Sequence, residues 1–110
     1  MNRQFMKLCI LRTSHNDISN YMPGGIFGYT VVVHEATPEW LRSSFTAHDD
    51  GLIFYQVFKG PAGKVQLHII NRDDETVRTH GLRTVVEMKS VRSAFKHLRR
   101  HFKLWQKGGC

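Results

Sequence analysis

The sequence predicts one α+β domain: a mainly antiparallel sheet of four to five strands, with a short helix and a longer, basic C-terminal helix packed on it. Three observations carry this expectation. Short runs alternate in polarity with a period of two, as in IFGYTVVVHE, where Phe27, Tyr29, Val31 and Val33 share one face. Turn-forming clusters such as KGPAG separate such runs at hairpin spacing. Near the C-terminus the period becomes helical, because Val91, Phe95, Leu98, Phe102 and Trp105 advance by four, three, four and three. A chain of 110 residues is long enough for one such core but would build two only with difficulty.

Taken in order, Gln4 to Arg12 reads as a strand of β-prone and apolar residues that ends at the polar segment TSHNDISN. Residues 13–25, running on through YMPGG, are expected to form a long functional or mobile loop, in which Tyr21 is by default exposed without a role and otherwise a contact residue or nucleophile. Ile26 to Glu35 is the clearest core strand. In ATPEWLRSSFTA, Thr37 can cap a short helix with Pro38 first and Glu39 near its positive end, while Trp40, Leu41 and Phe45 point to one side. GLIFYQVF and KVQLHIIN flank KGPAG as a β-hairpin whose Val65, Leu67 and Ile69 face inward.

TVRTHGLRTVVEM follows as one interrupted strand or two short ones, with Gly81 a bulge or bend. A helix then starts near Ser90. The resulting order, β-β-α-β-β-β-α, favours helices packed over one face of the sheet. Residues 1–107 are read as the domain, and the closing Gly108, Gly109 and Cys110 as a terminal tail with the look of an added spacer and labelling thiol.

Composition sets further bounds. Apolar residues at 41%, with 11% aromatic, are those of a globular protein. Cys9 and Cys110 stand at opposite ends of the chain and make no disulfide framework, so reduced thiols in a cytoplasmic protein are expected. The N-terminal apolar run is short and broken by Lys7, unlike a signal peptide, and no run approaches the roughly 18 to 20 apolar residues of a membrane span.

Charge is the most informative count. Residues 1–88 contain nine Lys/Arg and nine Asp/Glu, whereas residues 89–107 contain seven Lys/Arg and no acid, so the whole excess of +7 sits at the C-terminal end. On the predicted helix Arg92, Lys96, Arg99, Arg100 and Lys103 gather opposite the apolar stripe. Solvated helices usually mix signs; like charges four apart destabilise a helix by about a few tenths of a kcal/mol per pair, which an acidic partner would offset.

The leading expectation is therefore a non-enzymatic protein that binds nucleic acid or a nucleoprotein through these five residues. An inhibitor or accessory subunit docking the same face on an acidic protein surface is the alternative, and a merely solvated helix face is the plain one. A membrane surface or a calmodulin-like partner ranks lower, because the core of so small a domain needs Phe95, Phe102 and Trp105.

Other sites are weaker in the sequence. His97 and His101 have the i,i+4 spacing of a metal-binding pair, but two ligands are not a site, and two surface imidazoles are expected. A hairpin turning at KGPAG would bring His48, Asp49 and Asp50 near Asp73, Asp74 and Glu75. Such a cluster would suit Mg²⁺ and a small metal-dependent nuclease, although ordinary turn chemistry explains the same residues. No catalytic residue or cofactor is assigned: Cys9, Ser43 and Ser44 lack a spaced His and acid, and PGG lacks the phosphate-cradling pattern.

Overall fold

The computed structural model describes residues 3–35, 53–71 and 82–108. The helix expected in ATPEWLRSSFTA, Gly81, and Asp49, Asp50, Asp73 and Asp74 lie outside them. A short 3-10 turn, Arg3–Phe5, leads into β1 (Met6–Arg12), followed by α1 (His15–Tyr21), β2 (Phe27–Glu35), β3 (Ile53–Lys59), β4 (Val65–Asn71), β5 (Leu82–Met88) and α2 (Val91–Gln106). The strands lie in sequence order as one five-stranded sheet, every neighbour antiparallel. The expected α+β domain with a longer C-terminal helix is what the chain forms. No helix among the described residues is long and apolar enough to cross a membrane.

The segment after β1 differs from expectation, being a helix rather than a loop. Ser14 adopts extended backbone and its hydroxyl accepts the Asp17 N–H at 3.2 Å, an N-cap that satisfies one of the free amides of the first turn. Ile18 and Met22, four apart, then bury against Phe58 of β3. With only those two residues buried in a polar stretch, the helical period is hard to read. Gly28 admits this packing, since a Cβ there would meet Phe58 Cδ1 at 2.8 Å.

The two described helices take opposite faces of the sheet, and the packing expected of the helix in ATPEWLRSSFTA lies outside the described residues. β3 is buried at six successive positions from Ile53, so both of its faces need cover. Ile53, Tyr55 and Val57 point with Val31, Val33, Val65, Leu67 and Ile69 toward α2, whose Ala94, Leu98, Phe102 and Trp105 complete the main core. Phe54, Gln56 and Phe58 point the other way, toward the α1 side, where Val32, Phe54 and Ile70 form a second buried cluster.

Both ends of α2 are fixed locally. Ser90 caps it by accepting the Ser93 N–H at 3.0 Å. Gly108, with φ 86, takes the left-handed conformation that closes a helix and donates its N–H to Trp105 O at 3.0 Å. Arg3 Nη1 also donates to Trp105 O, at 2.8 Å, and Gln106 Nε2 donates to Arg3 O and Met6 O, which ties the last turn of α2 to the start of β1.

Candidate functional site

The apolar stripe of α2 faces the sheet, and this orients the rest of the helix. Arg92, Lys96, Arg99, Arg100 and Lys103 are all exposed, and together they line a shallow hollow of about 550 Å³. Among the described residues the ion pair formed is Lys64 with Glu87 at 3.7 Å, so none of these five cations meets a described carboxylate. Arg99 lies along the helix with its guanidinium 5.6 Å from the Phe95 ring centre, close enough for a cation–π contact. The arrangement is a broad positive strip along one helix, with chemistry suited to phosphates or carboxylates.

The histidines of α2 part company. His97 is exposed, whereas His101 turns toward the core and shares a 2.8 Å hydrogen bond between Nδ1 and the Tyr55 hydroxyl. Burial, and secondarily the neighbouring His97, lowers the His101 pKa. The expectation of two surface imidazoles therefore fails for His101, because the sequence could not show that buried Tyr55 needs a partner for its hydroxyl. No three His, Cys, Asp or Glu side chains among the described residues group as a metal site.

Tyr21 is likewise not a free loop residue. It ends α1, stacks on Phe58 at 6.2 Å between ring centres, and carries the Arg83 guanidinium 3.9 Å from its ring. Cys9 is half-buried beside Val32, Phe54 and Ile70, and burial raises its thiol pKa. A thiol so placed is a packing residue, not an activated nucleophile.

The sequence reading missed a polar row on the α1 side. Thr30, Gln56 and His68 stand directly opposite one another across β2, β3 and β4, all buried. Arg83 Nη1 donates to Gln56 Oε1 at 2.8 Å and to His68 Nδ1 at 3.0 Å. An acceptor Nδ1 puts the ring proton on Nε2, which donates to Gln66 Oε1 at 3.0 Å. Burial, with the Arg83 charge second, pushes the His68 pKa down to about 4, so the ring is neutral near pH 7.

Thr30 also shares a 2.9 Å hydroxyl contact with Thr13, and a pocket of about 300 Å³ opens over Thr13, Thr30 and Gln56, bordered by Ser14 and Asp17. The available signal was the register of the hairpin: Lys59 paired with Val65 fixes Gln56 opposite His68. Comparison with protein-family models, curated proteins and solved structures found no match to this chain.

Proposed function

We propose that this protein binds nucleic acid, free or within a nucleoprotein, through the outward face of α2. The observation that supports it is the set of five exposed cations, Arg92, Lys96, Arg99, Arg100 and Lys103, lining one hollow without a described carboxylate among them. Each phosphate they neutralise would release condensed counterions, which makes the attraction largely independent of sequence and steep in salt. Helix packing supplies the rest: Leu98 and Phe102 hold the helix against the sheet, so the cations are presented together without folding on binding.

A salt-titrated binding panel of DNA and RNA, single- and double-stranded, tests this reading. With about five phosphates contacted on duplex DNA, log affinity should fall with log salt at a slope near −4.5, about 500-fold between 50 and 200 mM. Arg99→Glu/Arg100→Glu should flatten that slope and weaken every member of the panel. Absence of binding at low salt, or affinity nearly indifferent to salt, would remove the proposal.

A further inference from the structure

α2 packs mainly across β3, β4 and β5, and among the described residues no helix covers part of the same sheet face on β1 and β2. There Ile10 is 50% exposed, Arg12 is exposed, and Phe27 and Tyr29 are half-buried. The period of two puts all four on the α2 side, and the pairing of β1 with β2 sets Arg12 directly opposite Tyr29. Tyr29 meets Phe27 edge-to-face at 5.7 Å between ring centres and meets Phe95 of α2 in the same way, also at 5.7 Å. The three rings thus form a row from the sheet to the helix.

Cations border this row along its length. Lys59 Nζ lies 5.8 Å from the Phe27 ring centre, Arg12 stands beside Tyr29, and Arg99 lies over Phe95. None of the three has a described carboxylate partner. Arg12, Ile26, Phe27, Gly28 and Tyr29 line a hollow of about 390 Å³, within the range that admits a small planar group. Tyr29 Oη makes no hydrogen bond among the described residues. Tyr29 and Phe95 also pack against the main core, which fixes their positions, whereas Phe27 belongs to none of the buried clusters.

We infer that this corner binds single-stranded nucleic acid, with bases stacking at Phe27 and Tyr29 and phosphates passing Arg12 and Lys59 toward Arg99 on α2. The inference rests on the reading of α2 as a phosphate-binding face and adds the class of strand. Aromatic rings interleaved with cations recognise strands whose base faces are free; a duplex hides those faces in its own stack and offers only phosphates and groove edges. A flat row of cations alone would not discriminate between the two.

The test measures fluorescence anisotropy of four probes at one salt concentration: a single-stranded oligonucleotide, the same strand with abasic central positions, its duplex, and poly-glutamate. The base-bearing strand should bind about tenfold or more tightly than the abasic strand of equal charge. Phe27→Leu and Tyr29→Leu should erase that difference while leaving duplex binding unchanged, the leucines preserving apolar volume.

Equal affinity for base-bearing and abasic strands would overturn the inference and leave the α2 reading standing. This comparison uses the unaltered protein, so it decides the matter however the variants fold. No binding to any nucleic acid would overturn both. Poly-glutamate binding as tightly as the oligonucleotide would assign the corner to acidic peptides and also overturn it.

Discussion

On the α2 side of the sheet, Tyr55, Val57, Leu67 and Trp105 meet almost wholly apolar neighbours, whereas on the α1 side Thr30, Gln56 and His68 form a row in which Thr13 bonds Thr30 and Arg83 bonds Gln56 and His68. The first face coheres through area removed from water, which is non-directional and tolerates substitutions of like volume. The second coheres through directional bonds in a low-dielectric setting, where each member depends on its partner being present. One sheet therefore answers to two kinds of perturbation, and the functional surface proposed above stands on the tolerant side.

The largest effect is expected from breaking the apolar side. Trp105 is 1% exposed and closes the core where α2 meets the start of β1. Trp105→Ala should lower stability by about 3–5 kcal/mol, read as the shift in urea midpoint at constant m. That is a large part of the roughly 5–15 kcal/mol available to a small domain. A shift near zero would show that α2 is held by other contacts.

On the polar side, Arg83→Met should cost about 1–3 kcal/mol by leaving Gln56 Oε1 and His68 Nδ1, both buried, without a donor. Acid should strike the same place. The folded pKa of His68 is lowered to about 4 from an ordinary 6.5, so its contribution is complete above pH 6.5. As pH falls through that value the unfolded chain takes up the proton first, and stability declines until the folded ring also protonates near pH 4. His101 is lowered too and acts in the same direction. Urea midpoints measured from pH 7 to 4.5 should fall, less steeply in His68→Gln; parallel profiles would place the acid sensitivity elsewhere.

The difference between the faces also explains what was legible in the sequence. Phe27, Tyr29, Val31 and Val33, and the stripe from Val91 to Trp105, are apolar at the period of their own element, so each could be read without knowing its neighbour. The polar row could not be read that way. Gln56 and His68 look like ordinary solvent-facing positions until both faces of β3 are known to be covered and the register sets them side by side. α1 was hidden for a related reason, because its buried Ile18 and the Met22 that follows it gain their meaning from Phe58, some forty residues away. The basic strip was legible because it lies on one helix; the aromatic row from Phe27 to Phe95, which joins two elements, was not.

A smaller effect should come from the hydroxyl–imidazole link between β3 and α2 across the apolar face. Tyr55→Phe removes the hydroxyl that meets His101 Nδ1 and should cost about 0.5–1.5 kcal/mol. Water can reach the half-exposed imidazole and replace part of the bond, so the lower end of that range is expected. In the same variant the His101 ring, followed by NMR titration, should change its pKa measurably. An unchanged titration would mean that the bond does not persist in solution.

The smallest change in stability carries the sharpest contrast, because its sign is opposite to its effect on binding. Lys96 lies four residues from Arg92 and Arg100 and three from Arg99 on the exposed face of α2. Lys96→Glu turns three like-charge neighbours into attractive ones, but exposed pairs are screened by salt and often contribute little, so at physiological salt the unfolding midpoint should rise only slightly. It also puts a carboxylate in the middle of the proposed phosphate track, so affinity for every nucleic acid should fall and the salt slope should flatten. A solvated helix face predicts the first result without the second. Stability that rises while binding falls would show that repulsion along α2 is retained for the partner, since nothing in the packing of the helix requires a cation at that position.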